Sequence, residues 1–178
     1  MHIANMNNLT SLQRRQAAQI LSESLPRGWS TLSEAVQAID ELLRPGNTML
    51  AAMEGSEVVG WGGIIPQYDG RVFELHPLCV REDMRRKGYG AVIVRSLENA
   101  ARAQGGLTIY LGADDENEPG ETSFSSVDLY FNLPAHMMNF EPGSHQSAFY
   151  LRQGYSVIGV IPDANGPGKP DILFGKKL

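Results

Sequence analysis

Apolar positions along the chain recur with two different periods, and the switches between them mark out its elements. Leu9, Leu12, Ala17, Ile20, Leu21 and Leu25 fall at helical spacing, and "PRGW" ends that segment. Thr31 with Glu34 three residues later forms a capping box and predicts a second helix. Its apolar positions are Leu32, Ala35, Val36, Ile39, Leu42 and Leu43, and "RPGN" stops it. Three extended runs follow, Thr48–Met53, Val58–Ile65 and Arg71–Val80, the first two joined by the hairpin signal "EGSE". From Gly90 to Gln104 the helical period returns, with Ile93, Leu97 and Ala100 on one stripe and Gly105-Gly106 as the stop.

"LTIYLG" reads as a short buried strand, and residues 113–143 as loop with a short helix around Val127–Leu133. Ser144 is expected to cap a short helix running through Arg152. "YSVIGVIP" and "DILFGKK" close the chain as two strands around the turn-rich "DANGPGKP". With a short first strand near Ile3, the order is βααβββαβαββ. The expected fold class is therefore α/β (α+β): a single domain over residues 1–178, with a central mixed sheet flanked by helices. Pro77 cannot donate to a ladder, so the sheet should splay or bulge there.

Composition narrows the classes. At 178 residues, with 42% hydrophobic and 20% charged positions, the chain fits one ordinary globular domain. No run approaches the roughly 20 apolar residues that span a bilayer. The N-terminal "MHIANMNNLTSLQRR" lacks the layout of a signal peptide. A single cysteine, Cys79, excludes an internal disulfide framework, and the expected location is the cytoplasm. A net charge of −5 disfavours nonspecific nucleic-acid binding and suits a cationic small molecule better.

The candidate chemistry centres on "PLCVREDMRRKGYGAVIV", Pro77 to Val94. A helix N-terminus offers N–H groups that lack intrahelical partners, together with partial positive charge. Gly88 and Gly90 let a ligand approach the backbone, and Arg85, Arg86 and Lys87 attract a polyanion. Strand, turn and helix in this order make a phosphate site; a charged solvated turn is the competing reading. A dinucleotide fingerprint is excluded because "GYGAVI" has isoleucine where the third glycine belongs. A P-loop is excluded because the lysine precedes the glycines.

Arg-x-x-Gly-x-Gly between a strand and a long helix, in this element order, resembles the GCN5-related N-acetyltransferase superfamily. "FELHPLCV", "RRKGYG", "GGLTIYLGADD", "VDLY", "FYLRQGY" and "GVIPDANGPGKPDI" together resemble, within it, the enterococcal chromosomal type of aminoglycoside 6'-N-acetyltransferase. The resemblance covers nearly the whole chain and implies acetyl-CoA as co-substrate, no metal, and a homodimer.

It also distributes roles. Leu78 would offer its backbone N–H to the acetyl carbonyl. Leu78, Cys79 and Val80, then Arg85, Arg86, Lys87, Gly88, Tyr89, Gly90 and Ala91, would hold the pantetheine and pyrophosphate. Period 2 puts Glu74 and His76 on one face of "VFELHPLC". Glu74 would bind the substrate ammonium or accept its proton; His76 is a structural histidine or a base. Tyr150 would touch the cofactor and protonate the leaving thiolate, or else simply pack on its helix. Trp29 is either a wall of the acceptor cleft or core.

The acidic run Asp114, Asp115, Glu116, Glu118 and Glu121, with Asp128 and Glu141, is either a solvated loop or a recognition surface for a polycation. Asp114 and Asp115, next to the expected acetyl site, are the strongest of these. Cys79 has no adjacent base and is rejected as a nucleophile. The expected activity is acetyl transfer from acetyl-CoA to the 6'-amine of an aminoglycoside, by direct attack in a ternary complex. A protein, peptide or polyamine acceptor, and a non-catalytic acyl-CoA-binding module, are the alternatives.

Overall fold

A computed structural model describes residues 1–116, 121–125 and 127–178. It divides into two compact units, Met1–Ile109 with Leu178, and Tyr110–Lys177.

The first unit begins with a short strand, β1 (His2–Asn5), and then helices α1 (Ser11–Ser24) and α2 (Leu32–Leu42). Thr31 and Glu34 form the expected capping box at α2, and Thr10 with Gln13 forms a second one at α1. Strands β2 (Thr48–Glu54), β3 (Glu57–Gln67) and β4 (Val72–Val80) follow. β1 to β4 neighbour one another in chain order, each pair antiparallel. The helices cover this sheet through Ala17, Ile20, Leu21, Ala35 and Ile39, which pack with Met49, Met53, Val58 and Trp61. The indole N–H of buried Trp61 donates to the Ala17 carbonyl at 2.9 Å, tying β3 to α1. Leu12 and Val36, expected on the apolar faces, are exposed instead. The stripe that meets the sheet is narrower than the sequence pattern.

β3 and β4 approach closely at Pro77. Gly62 pairs with Leu78 and Ile64 with Leu75, so His76 and Pro77 together oppose Gly63. This is the expected bulge: one extra residue in one strand, with the ladder locally interrupted. Glycine is required opposite it, because a Cβ at Gly62 would lie 2.9 Å from the Pro77 carbonyl oxygen. A turn (Glu82–Met84) then leads to α3 (Tyr89–Ala103), and β5 (Thr108–Asp114) starts at the end of this unit.

In the second unit β5, β7 (Asp171–Lys177) and β6 (Ser156–Ile161) lie in that order, with β6 and β7 antiparallel. Two short helices precede them, α4 (Leu133–Met138) and α5 (Ser147–Arg152). The helix expected at Val127–Leu133 is thus displaced to begin at Leu133, with Pro134 in its first turn, where a missing N–H costs nothing. Ser144 does not cap α5: that helix starts three residues later, and the residue before it, Gln146, makes no side-chain cap. No helix among the described residues is long and apolar enough to cross a membrane.

Substituting Gly62 by alanine should destabilise the chain by about 1–3 kcal/mol, because the methyl group must displace backbone rather than a flexible side-chain tip. Urea unfolding read by tryptophan fluorescence measures this; an unchanged midpoint would show that the approach of β3 to β4 is not constrained.

Candidate active site

β4 alternates as its sequence requires. Phe73, Leu75, Pro77 and Cys79 are buried, whereas Glu74, His76 and Leu78 are half-exposed on the opposite face. The Glu74 carboxylate accepts from the Gln67 amide at 3.5 Å, a long bond that leaves most of its acceptor capacity unused. Next to Gln67 the chain turns through Tyr68, Asp69 and Gly70, all three at positive φ. The His76 ring packs against Trp29, with centroids 5.8 Å apart and a tilt of 51°. Trp29 in turn packs against the core. The first unit therefore brings together Glu74, His76 and Trp29 on or beside one face of β4.

Cys79 points the other way. Its thiol is buried and donates weakly to the Trp61 carbonyl at 3.7 Å. Burial pushes the thiol well above its ordinary pKa, outweighing the smaller opposing effects of the Trp61 carbonyl and of Arg85. It is a packing residue, without thiolate character.

The loop after β4 closes on itself before it faces outward. The Arg81 N–H donates to the Val59 carbonyl at 2.9 Å, and its guanidinium grips Asp83 and Glu57. Arg85 donates from Nε to the Val80 carbonyl at 3.1 Å and from a terminal nitrogen to the Ser24 hydroxyl at 3.2 Å. Arg85 thus braces the loop against the end of α1, with part of its guanidinium already engaged. Lys87 extends over the Met84 sulfur at 3.5 Å. Arg86 sits at φ 63°, exposed, with no hydrogen bond or ion pair to any described residue.

Gly88, at φ 90°, caps α3 without a side-chain acceptor for the helix N–H groups. The first backbone bond into the helix runs from Val92 to the Gly88 carbonyl at 3.1 Å. The N–H groups of Tyr89, Gly90 and Ala91 stand ahead of it, in the turn where an anion is favoured. Nothing stands within 4 Å of where a Gly88 Cβ would lie, so the approach is open. Tyr89 can serve only through its backbone. Its phenol donates to Glu54 at 2.6 Å, which holds the Glu54 carboxyl below its usual range and the phenol above its own. The uncapped turn and unengaged Arg86 fit a pyrophosphate.

The remaining candidates lie in the second unit. Tyr150 is buried on α5, where its ring meets Phe149 at 5.1 Å, Tyr155 at 5.8 Å and Phe174 at 6.5 Å. Asp114 is exposed at the end of β5, its carboxylate accepting from the Asn165 amide at 2.7 Å. Asp115 is only 1% exposed; Thr122 and Ser125 donate to its carboxylate, and its N–H donates to the Pro170 carbonyl. Its observed work is to hold the loop rather than to face a ligand. Glu118 lies outside the described residues. No group of three or more potential metal ligands occurs among the described residues.

Sequence reasoning missed Ser24, Gln67, Asn165 and His145, each of which orients a residue it did single out. Their signal is spatial: Ser24 stands 61 positions from the arginine it receives.

Comparison with known proteins fixes the class. The model of the acetyltransferase (GNAT) family matches residues 14–121, and the chain belongs to this family. The solved structure of an aminoglycoside 6'-N-acetyltransferase complexed with coenzyme A is 32% identical, with a TM-score of 0.93 over 99% of this chain and 97% of that one. The aminoglycoside 6'-N-acetyltransferase from Enterococcus faecium is also 32% identical, at a TM-score of 0.92 and the same coverage. A ribosomal-protein-alanine N-acetyltransferase from Brucella melitensis, at 17% identity and a TM-score of 0.67, shares the fold. No curated protein sequence matches the chain. The fold expected from the sequence, a mixed sheet flanked by helices, is the fold found.

Given its burial, Cys79 in the folded protein should react with a disulfide reagent at least roughly 100-fold more slowly than in urea. Rapid titration at native pH would reveal a reactive thiol and overturn the packing role.

Proposed function

We propose that this chain transfers an acetyl group from acetyl-CoA to the 6'-amine of an aminoglycoside, by direct attack while both substrates are bound. The observation that carries the proposal is the 32% identity and near-complete superposition, over 99% of the chain, with the aminoglycoside 6'-N-acetyltransferase complexed with coenzyme A. The uncapped start of α3 supports it independently, as a built site for the pyrophosphate of the acetyl donor.

In this reading the amine nitrogen attacks the thioester carbonyl carbon, the C–N bond forms and the C–S bond breaks. Glu74 binds the acceptor ammonium and takes its proton, directly or through water. The Leu78 backbone N–H polarises the acetyl carbonyl as negative charge develops on its oxygen. Tyr150 gives the departing thiolate a proton or a hydrogen bond. Leu78 to Val80, and then Arg86 to Ala91, hold the donor, with Arg85 bracing the loop from behind. Trp29 and His76 form an aromatic flank beside Glu74, supported by their ring contact. Asp114, held by Asn165, offers a carboxylate to a second ammonium of the acceptor. The same reading includes a homodimer working in the cytoplasm, which light scattering and fractionation test.

Thiol release from acetyl-CoA should occur with an aminoglycoside carrying a 6'-amine and not with its 6'-hydroxyl counterpart. Silence with both would remove the drug as acceptor, and release with both would move the site of attack elsewhere.

Glu74 and Arg86 should separate the two halves of the reaction. Glu74→Ala should lower kcat/KM for the acceptor by roughly 100-fold while coenzyme A binding in isothermal titration stays within about twofold. Arg86→Ala should instead weaken coenzyme A by about 10-fold, the worth of one charge-assisted contact. Equal losses from both variants would mean that neither role is as assigned.

A further inference from the structure

Tyr150 is the proposed acid, yet it stands on α5, a helix of six residues that is too short to hold its own shape. Besides its own backbone bonds and the ring contacts of Tyr150, the helix is held by the side chain of His145. The imidazole is only 3% exposed and Ser147 is fully buried. Nε2 lies 3.0 Å from the Asp114 carbonyl oxygen, which can only accept, so Nε2 carries the proton. Nδ1 faces the Ser147 backbone N–H, which can only donate, so Nδ1 presents a lone pair. It accepts from the Ser147 hydroxyl at 3.0 Å and the Ser147 N–H at 3.3 Å. Ser147 is the first residue of α5, and no cap residue of its own serves it. The histidine ring therefore supplies the missing N-terminal acceptor and joins it to the end of β5 through a single tautomer.

The joint has a consequence for the site. Tyr150 is one turn downstream of Ser147 on the same helix, and Asp114, the other proposed contact of the second unit, is the residue whose carbonyl the ring holds. One buried imidazole thus sets both the start of the helix that carries the proposed acid and the main chain of the proposed acceptor carboxylate. We propose that His145 is a positioning residue for the transfer reaction: it touches neither substrate and acts by holding α5, and with it Tyr150, against the end of β5. The inference rests on the role given to Tyr150 above.

The test uses the whole chain and two substitutions. His145→Ala removes all three bonds; His145→Asn keeps an acceptor close to the place of Nδ1 and so retains the cap, without the bond to the Asp114 carbonyl. His145→Ala should lower kcat by about 10-fold or more, because small misplacements of a reacting group are costly. Affinity for coenzyme A should stay within about twofold. His145→Asn, which keeps the cap but gives up the bond to the Asp114 carbonyl, should recover part of the lost kcat and not all of it. Hydrogen exchange read by mass spectrometry gives an arm that is independent of turnover: amides 147–153 should exchange about 10-fold faster in His145→Ala than in the parent chain or in His145→Asn. Unchanged kcat and exchange in His145→Ala, or an asparagine variant no better than alanine, would overturn the proposal. If the parent chain acetylates no amine, the proposed function fails, and the exchange arm alone decides whether His145 holds the helix.

Discussion

The first unit depends on how closely β3 can pass β4. Two strands in an antiparallel ladder normally keep side chains between their neighbours, but here β4 carries a proline where a ladder donor belongs. The register therefore slips, two residues come to oppose one, and the His76 and Pro77 carbonyls turn toward the partner strand. Only glycine leaves room for them, and β3 supplies Gly62 and Gly63 at that point. The half-exposed face of β4 follows from this approach. With Phe73, Leu75 and Cys79 packed inward, Glu74, His76 and Leu78 are left outward on a strand that cannot rotate. The loop beginning at Arg81 inherits its direction from the same strand, because the Arg81 N–H is still paired to β3.

Rigidity of this kind suits a transfer reaction that asks little of covalent chemistry. The proposed direct attack needs no nucleophile of the protein, and the one cysteine is buried with its thiol held protonated. What the reaction needs is two substrates held in line, a carboxylate near the amine, and donors aimed where negative charge gathers. Under the proposed function the chain supplies these from regular structure, with a strand for the carboxylate, a helix start for the donor's phosphates and the loop between them braced by Arg85. Side chains that look catalytic in the sequence turn out to divide into those that face outward and those that hold others still. Arg86 belongs to the first group, and Arg85, Tyr89 and Asp115 to the second.

That division marks the limit of what could be read from the sequence. Alternation along "VFELHPLC", the capping box at Thr31 and the strand-turn-helix around "RRKGYG" are local, and each was legible because its partners lie within a few positions. The bulge at Pro77 was legible too, since proline carries its own consequence wherever it falls. The roles of Arg85 and Tyr89 were not, because Ser24 and Glu54 are distant in the chain and charge alone does not say where a side chain is spent. Periodicity failed at α4 and α5, which are too short to show it, although Pro134 marked the true start of α4. Histidine 145 was invisible for a similar reason, since a ring that caps a helix from two residues ahead matches no familiar pattern.

Under the proposed function the two substrates are met in different ways. The proposed donor site is made chiefly of backbone: N–H groups at a helix start, a glycine at positive φ and a strand edge. A site of this kind depends little on which side chains surround it. An acceptor amine is selected differently, by carboxylates and rings whose identity matters at each position. Glu74 beside Gln67, Trp29 against His76, and Asp114 held by Asn165 are all side-chain arrangements of that sort. Each also depends on a second residue for its orientation. Under the proposed function, acceptor choice should therefore be set as much by Gln67 and Asn165 as by Glu74 and Asp114, because a carboxylate held loosely distinguishes one ammonium from another poorly.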